Sequence, residues 1–294
     1  MYTILIWGTG YLYNANLNLI KMYEARGDFQ VIGVTSNDAN MKKRVDGYRF
    51  VGKSELNGLS FDFCFVATTD FESVKHEAVL YGIDVYKLIP IRILSIPYMS
   101  FEEYVLLKQS NLSILASNCW AGICYHYLGL EFLSPTINMF FGRKDFNKFL
   151  RNLEYYLSLS IESAGNRYEE SIRKCYPVGK LGDIYLYFNH YESFEEARLC
   201  WERRKTRINK NNLLLITSTT SFEEAEEFDG LQYENKLVFV PFDSNLKSAY
   251  KIAYEDKGDG VTVGMVCNEI ANGRLSDFDI IKFLIHEKDY IRIE

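Results

Sequence analysis

Short apolar runs alternate with amphipathic stretches along the first third of the chain. The apolar runs have the length of buried strands and lie at residues 2–10, 29–38, 61–70 and 84–89. The amphipathic stretches have helical spacing and lie at residues 12–27, 73–83 and 100–109. Strands that alternate with helices pair in parallel through right-handed crossovers. We therefore predict an α/β protein with a Rossmann-like parallel-sheet domain over residues 1–110.

The rest of the chain mixes the two patterns in a less regular order. Strand patterns occur at residues 112–117, 183–188, 212–219, 236–242 and, after a turn, near 256–264. Helical patterns occur at residues 145–157, 193–208, 221–228 and 276–285. The word "SFEEA" opens two of these helices with the Ser-x-x-Glu spacing of a capping box, so the repeat does not indicate duplication. We predict a second, mixed α/β domain over residues 111–294.

Composition and charge narrow the class of protein. Hydrophobic residues make up 48% and charged residues 24% of the 294 residues, which is typical of soluble globular proteins. The net charge of -6 argues against a nucleic-acid partner, and no uncharged stretch approaches the roughly 20 residues of a membrane span. Since the N-terminus has neither a basic region nor a cleavage site, we expect a cytoplasmic protein.

The cysteines point to the same compartment. The six of them include no Cys-x-x-Cys pair and lie mostly among apolar residues. This pattern is typical of free thiols in a reducing environment. We predict six reduced cysteines without disulfides or a bound metal.

A glycine turn follows the first predicted strand. The sequence "GTGYLY" at residues 8–13 has the first two glycines of a dinucleotide-binding fingerprint, Gly8 and Gly10, but Tyr13 replaces the third. Backbone N–H groups at the helix start, near Tyr11, still suit a phosphate group. Hydroxyl groups at the same sheet edge extend this candidate cofactor site, on Thr35, Ser36, Thr68 and Thr69. The alternative is an empty, purely structural turn.

NAD is a poor match for this turn. The second predicted strand ends in "VTSND", with Thr35 and Ser36 where an acidic residue would hold the ribose of NAD, and Asp38 lies further along. A nucleotide or nucleotide-sugar, bound through its phosphate group, is preferred over NAD as the ligand of this turn. The cofactor therefore stays unknown.

A second group of special residues follows the predicted strand at 112–117. Ligands of α/β proteins bind at the carboxyl ends of the strands. At the end of this strand lie Asn118, Cys119 and Trp120. A cysteine near a helix start can have a lowered pKa and act as a nucleophile, here with His126 or His190 as base. Alternatively, Cys119 and Cys124 are small core residues, and their spacing with His126 matches no common zinc site. Trp120 is either a platform for a sugar ring or a core anchor.

Two further segments are expected to reach this candidate pocket. The loop "SPT" brings two hydroxyl donors, Ser134 and Thr136. In "KLGDIYLYFNHY", Asp183 and His190 lie at opposite ends of a strand, roughly 20 Å apart at about 3.3 Å per residue. They cannot form one dyad, so we assign His190 as a candidate base and Asp183 as a turn cap. A structural histidine is the alternative.

An arginine cluster lies in "CWERRKTRIN". On a continuous helix, Arg203 and Arg204 lie four and three residues before Arg207, so the three guanidinium groups can converge. Planar guanidinium groups suit phosphate, so the cluster is a candidate anion pocket. The alternative is a solvated helix face in which Arg198 pairs with Glu202.

Three blocks of this sequence resemble one family. They are "SNCWAGICYHYLGLEFLSPTINMFF", "YPVGKLGDIYLYFNHY" and "SFEEARLCWERRKTRINKNNLLLI". They are similar to the bacterial DUF1919 family, some of whose members are labelled exopolysaccharide biosynthesis proteins. The N-terminal third resembles, more loosely, the nucleotide-binding-like domain of some sugar-modifying enzymes. The resemblance implies an exopolysaccharide setting without a mechanism or a list of catalytic residues.

Three functional hypotheses follow from the residues and the resemblance. The first is a transferase acting on a phosphate-bearing sugar or nucleotide-sugar, with the arginines on phosphate and His190 as base. The second is a non-catalytic module that binds a nucleotide-sugar. The third is an NAD-dependent sugar oxidoreductase, which the incomplete glycine fingerprint disfavours. The oligomeric state stays open.

Overall fold

The computed structural model of the chain describes residues 1–37, 43–142, 144–170, 173–258, 261–273 and 277–291. The chain forms two compact units. The first comprises Met1–Val105 with Tyr127–Gly129, and the second comprises Leu106–His126 with Leu130–Glu294. The division falls inside the helix Phe101–Gln109, a few residues before the border at 110 and 111 that the sequence predicts.

A parallel four-stranded sheet organises the first unit, in the order β2-β1-β5-β6. The strands of this unit are β1 (Tyr2–Trp7), β2 (Phe29–Thr35), β3 (Arg44–Val45), β4 (Tyr48–Arg49), β5 (Phe63–Val66) and β6 (Leu88–Pro90). Its helices are α1 (Tyr11–Arg26), α2 (Lys53–Leu56), α3 (Phe71–Leu80) and α4 (Phe101–Gln109). The strands β3 and β4 form a separate antiparallel pair.

Aromatic packing holds the helices of the first unit against its sheet. The ring of Phe101 in α4 lies 5.2 Å from that of Phe29 and 5.7 Å from that of Phe65, centroid to centroid. All three side chains are buried. Burial of one such side chain contributes roughly 1.5–3 kcal/mol, so the sheet and the flanking helices stabilise each other.

The second unit contains a second parallel sheet, in the order β14-β13-β12-β7, and an antiparallel sheet, in the order β8-β11-β10-β9. Its strands are β7 (Ser113–Ala116), β8 (Phe140–Phe141), β9 (Glu162–Glu169), β10 (Lys174–Leu181), β11 (Ile184–Tyr187), β12 (Leu213–Ser218), β13 (Lys236–Val240) and β14 (Ala249–Lys251). The later helices are α5 (Trp120–Leu128), α6 (Asp145–Arg151), α7 (Leu153–Ser158), α8 (Phe194–Lys205), α9 (Phe222–Asp229), α10 (Val263–Ala271) and α11 (Ile280–Leu284).

The long connection from β7 to β12 brings the antiparallel sheet to the end of β7. The backbone N–H of Phe141, in β8, donates to the carbonyl of Ser117 over 2.9 Å. The ring of Phe141 lies 5.2 Å from that of Phe149, which in turn lies 6.2 Å from Trp201. These side chains are buried, and close packing of the interior fixes the position of the end of β7.

The predicted α/β class with parallel sheets is confirmed, while several local predictions are wrong. The helix predicted over 145–157 is interrupted at Asn152. Asp145, at the position where its sequence favours a cap for this helix, accepts instead from the N–H of Tyr185 over 2.9 Å. The segment after 256 leads into the helix α10, although its β-branched residues favoured a strand. The hairpin of β9 and β10 was not predicted, because nearly every side chain of β9 is exposed and no alternation of apolar residues marks it.

Candidate functional site

The glycine turn after β1 joins the carboxyl ends of three strands. Gly8 has a φ of 111°, and its N–H donates to the carbonyl of Thr35, at the end of β2, over 2.8 Å. A Cβ atom at Gly8 would lie 2.8 Å from the carbonyl oxygen of Ala67, which follows β5. Only glycine fits both constraints. We call this region, at Gly8–Gly10 and the ends of β2 and β5, the first edge.

The helix α1 begins at the first edge without a side-chain cap. Gly10 occupies the N-cap position, and the first turn of this 16-residue helix contains no acidic residue. The N–H groups of that turn have no capping acceptor, and they lie at the positive end of the helix dipole. Tyr11, the first helical residue, is 82% exposed. The geometry suits an anion at this helix end.

The hydroxyls predicted at the first edge differ in their surroundings. Thr35 is fully buried, and among the described residues its Oγ1 has no hydrogen-bond partner. Thr68 Oγ1 is engaged at 3.1 Å by both the N–H and the carbonyl of Asp70. Ser36 is half-buried and Thr69 exposed. Asp38, the acidic residue nearest to this edge in the sequence, lies outside the described residues.

In the second unit, Asn118 links the end of β7 to two helices. Its Oδ1 accepts from the N–H of Trp120 over 3.0 Å, which caps α5. Its Nδ2 lies 3.7 Å from the sulfur of Cys267, in α10. Asn118 therefore has a fixed orientation at the carboxyl end of the sheet.

The start of α10 closes against the same place. Thr262 caps this helix by accepting from the N–H of Met265. A Cβ atom at Gly264 would lie 2.9 Å from Asn118 Nδ2 and 3.4 Å from Ser218 Oγ, so the glycine allows close approach. Ser218 ends β12. We call this region, formed by Ser117–Cys119, Ser218, Thr262–Gly264 and Cys267, the second edge.

The thiols of the second edge are protonated at neutral pH. Burial raises the pKa of Cys267 to about 12, against the opposing effect of hydrogen bonds from Asn118 and Ser218. Burial also raises the pKa of Cys119, and its contact with the side chain of Asn189 acts in the opposite direction. This direction is opposite to the lowered pKa that a nucleophilic Cys119 requires. The Oδ1 of Asn189 is buried without a partner among the described residues.

The two candidate bases, His190 and His126, differ in their suitability to accept a proton at this edge. The side chain of His190 is exposed, yet partial burial of its ring and then the charge of Lys174 lower its pKa. His190 is therefore neutral near pH 7 and able to accept a proton. His126 is exposed and follows Cys119 by seven residues along α5, or roughly 10 Å of helix. It is too far away to be the base of Cys119.

Three of the predicted substrate contacts are internal. Trp120 is fully buried and packs between Phe239 and Phe283, at 6.5 Å from each ring, so it is a core anchor and not a sugar platform. Ser134 and Thr136 are also fully buried and contact each other at 3.0 Å. Thr136 Oγ1 accepts from the N–H of Ala116 and so ties its loop to β7. These hydroxyls stabilise the fold.

The arginines do not form the predicted pocket, because α8 ends at Lys205 and Arg207 lies beyond it. Arg204 is buried, donates to Tyr191 Oη over 2.7 Å and lies 5.3 Å from the ring centroid of Phe132. Arg207 pairs with Glu131 at 3.4 Å. Arg203 is exposed, with its guanidinium 3.8 Å from the sulfur of Cys200. The helical convergence assumed from the sequence fails at the helix end.

Other features lie away from the two edges. A depression of about 470 Å³ near the start of β12 is lined by Arg151, Asn152, Leu153, Glu154, Tyr155, Lys210, Leu213 and Tyr233. Within the described ranges, no three His, Cys, Asp or Glu side chains come together as metal ligands.

All six cysteines lie in these ranges and are free. Of the helices described, none is both long and apolar enough to cross a bilayer.

Four residues at or beside the second edge were not predicted: Ser218, Gly264, Cys267 and Asn189. The run "ITSTT" after the β12 pattern carried the signal for Ser218, because polar residues that end a buried strand face the ligand edge. Nothing in the sequence marked Gly264 and Cys267, since their helix was expected to be a strand. Asn189 was visible beside His190 but received no role.

Comparison with known families covers both edges. The profile of the family described as "Domain of unknown function (DUF1919)" matches residues 91–285. The chain belongs to the DUF1919 family. A second profile, "C2185-like, N-terminal", matches residues 1–89. An uncharacterized protein of Haemophilus influenzae is 30% identical to this DUF1919 protein over 157 residues, which are 52% of this chain and 71% of that relative.

The two matches divide the candidate residues between them. The DUF1919 match contains the whole second edge, and the C2185-like match contains the first edge. Membership in DUF1919 thus extends over the second edge without assigning a role to any side chain, so the function has to be argued from the geometry.

Proposed function

We propose that this DUF1919 protein is a transferase of exopolysaccharide assembly that binds a sugar phosphate or nucleotide-sugar through its phosphate group at the first edge. In this proposal the first unit is a Rossmann-like nucleotide-binding domain. The observation that carries it is the uncapped start of α1 beside Gly8. Three strand ends converge there, and the strand order β2-β1-β5-β6 makes the gap between β1 and β5 a topological switch point.

The buried hydroxyl of Thr35 supports a ligand at this edge. Buried polar groups nearly always have a partner, and this hydroxyl has none among the described residues. Thr35 directly accepts the N–H of Gly8 through its carbonyl, so the unpartnered group belongs to a residue that contacts the turn. A phosphate-bearing ligand would add acceptors at this point.

The candidate base for a transfer step, His190, belongs to the second unit. In such a step the oxygen of an acceptor hydroxyl bonds to the anomeric carbon of the donor sugar. The bond from that carbon to the phosphate oxygen breaks, and its electron pair leaves with the phosphate. His190 takes the proton of the acceptor hydroxyl, for which its lowered pKa keeps it neutral.

The test of phosphate binding uses Gly10, because a side chain there meets nothing within 4 Å. Gly10→Asp caps the helix and puts a carboxylate where the phosphate binds, whereas Gly10→Asn has the same shape without the charge. We expect UDP-glucose, measured by calorimetry, to bind the Asp variant at least about tenfold more weakly than the Asn variant. Equal affinity of the two variants, or no binding of UDP-glucose, GDP-mannose and glucose 1-phosphate to the wild type, would refute the proposal.

A non-catalytic binding module is the second candidate, because the burial that raises the pKa of Cys119 removes the nucleophile that the sequence suggested. The same calorimetry separates the two functions when release of UDP in the presence of sugar acceptors is measured in parallel. Binding without UDP release identifies the module. Release that is lost in His190→Gln identifies the transferase.

A further inference from the structure

An exposed aromatic ring lies at the start of the helix that follows Ser218 of the second edge. Phe222 is the first residue of α9, four positions after Ser218, and is 49% exposed. Its ring centroid lies 5.9 Å from that of Phe242, which follows β13. Phe242 thus supports Phe222 from the neighbouring strand end. Ligands bind at the carboxyl end of parallel sheets, and apolar and aromatic side chains line their sites. A ligand that contacts this ring would therefore explain its exposure.

The groups on the adjacent floor are neutral donors and acceptors. They are hydroxyl, amide and thiol groups, on Ser117, Asn118, Thr217, Ser218 and Cys267. Asn118 and Cys267 contact each other, and the hydroxyls of Ser117 and Thr217 lie 2.9 Å apart. The thiol of Cys267 carries no charge because of its raised pKa.

The charged side chains at the start of α9 and the end of β14 do not favour an anion. Glu223 and Glu224 lie in the first turn of α9, and Glu224 accepts from Thr219 Oγ1 over 2.7 Å. Lys251, at the end of β14, is paired with Asp243 at 2.8 Å. Carboxylates repel phosphate and accept hydrogen bonds from hydroxyl groups.

Each helix start at this edge has one backbone N–H bound to a side-chain acceptor. Asn118, Ser221 and Thr262 each accept a backbone N–H in the first turn of α5, α9 and α10, respectively. These three helix starts therefore have a side-chain cap, which the start of α1 lacks.

We infer that the second edge binds the uncharged ring of a sugar, with Phe222 as the platform on which the apolar face of that ring stacks. The inference rests on the proposed function and names its acceptor class: a neutral glycoside without phosphate. Amide and hydroxyl groups of the floor bind the hydroxyls at the rim of the sugar. In this inference Phe222 is the platform for the sugar ring, a role that the sequence suggested for Trp120.

The experiment measures binding of methyl hexopyranosides and their disaccharides to the full chain by saturation-transfer NMR and titration. We expect at least one of these glycosides to bind the wild type. Phe222→Ala should weaken this binding about tenfold, equivalent to about 1.4 kcal/mol, and Phe222→Trp should retain it. The matched control is Leu199→Ala, which removes an apolar side chain that is 55% exposed on α8 and should leave the affinity unchanged.

Three results would overturn the inference. They are no binding of any glycoside in the panel, equal affinity of Phe222→Ala and wild type, and competition of inorganic phosphate with the glycoside. Gly10→Asp separates this inference from the proposed function, because it should weaken UDP-glucose binding at least about tenfold while leaving glycoside binding unchanged. If the wild type binds UDP-glucose but no glycoside, this inference fails. If it binds a glycoside but no UDP-glucose, the proposed function fails.

Discussion

The carboxyl edges of the two parallel sheets are built on opposite principles. At the first edge, α1 starts at Gly10 with its N–H groups uncapped, and the turn is held by a glycine with positive φ. At the second edge, three helices start under side chains of their own sequence, those of Asn118, Ser221 and Thr262. The same location in two parallel sheets therefore offers backbone donors in one unit and side-chain amides, hydroxyls and thiols in the other.

The difference shows how capping selects ligand chemistry. An uncapped helix start leaves several N–H donors and a positive dipole end available, which suits phosphate. At a capped start one of these donors is bound to a side chain, which leaves fewer of them for an anion. The fold class alone predicts a ligand at both edges but does not separate an anion from a neutral sugar.

Substitution of Trp120 should give the largest effect. Trp120→Ala removes a fully buried ring beneath the second edge and should lower the free energy of unfolding by about 3–5 kcal/mol, measured by urea denaturation. Phe222→Ala, at the exposed ring, should change it by no more than about 0.5 kcal/mol. A stable Trp120→Ala variant that has lost glycoside binding would reverse the roles of these two residues.

The glycines of the first edge should also differ. Gly8→Ala combines a positive φ with a 2.8 Å contact to the Ala67 carbonyl, so we expect a loss of about 2–4 kcal/mol. Gly10→Ala has an ordinary φ of -87° and open space, so its cost should stay below about 1 kcal/mol. Thermal and urea unfolding of both variants would measure the contrast, and similar losses would contradict this geometry of the turn.

Exchanging the caps should produce changes of opposite sign at the two edges. Thr262→Ala removes the cap of α10 and should cost about 1 kcal/mol, while Thr262→Ser should be close to neutral. Gly10→Ser adds a cap to α1 and should stabilise by a few tenths of a kcal/mol. Urea denaturation of the three variants measures this exchange. A destabilised Gly10→Ser would show that α1 is not limited by its missing cap.

The smallest effect concerns pH and His190. Its pKa in the folded chain lies below the unfolded value of about 6.5, because of partial burial and the charge of Lys174. The unfolded chain therefore binds the proton more readily, so stability decreases as the pH falls below about 6.5 and the loss ends near the folded pKa. His190→Gln should reduce this slope in unfolding experiments from pH 7 to pH 5. NMR titration of Lys174→Gln should show a raised pKa for His190, and an unchanged value would exclude the lysine as a cause.

Sequence patterns sufficed for the parallel sheets, because buried strands with flanking helices leave a strong periodic signal. The helix starts at Ser193 and Ser221 were also predicted, and both serines accept the expected N–H of a capping box. These features depend on residues close in the sequence. For the same reason, the strand ends that carry Asn118 and the Gly8 turn could be recognised.

Features that depend on tertiary neighbours were not predictable. Arg203 and Arg204 are adjacent in the sequence, yet one is exposed and the other is buried against Tyr191 and Phe132, because only one of them faces the core. Trp120 allowed two interpretations until its neighbours from β13 and α11 were known. The pKa of Cys119 depends on burial by distant segments, which reverses the effect expected from its position before a helix.

The path of the chain also governs how this protein can be divided. Tyr127–Gly129 belongs to the first unit although the chain around it belongs to the second. The carbonyl of Tyr127 accepts from Arg92 and that of Leu128 from Tyr104, and Gly129 lies so close to Pro90 that a Cβ atom would be 2.2 Å from its Cδ. A fragment cut near residue 105 would lack these partners and leave buried polar groups unsatisfied. A fragment that ends where the two family matches meet, near residue 90, would also lack Tyr127–Gly129 and would therefore not contain the whole first unit.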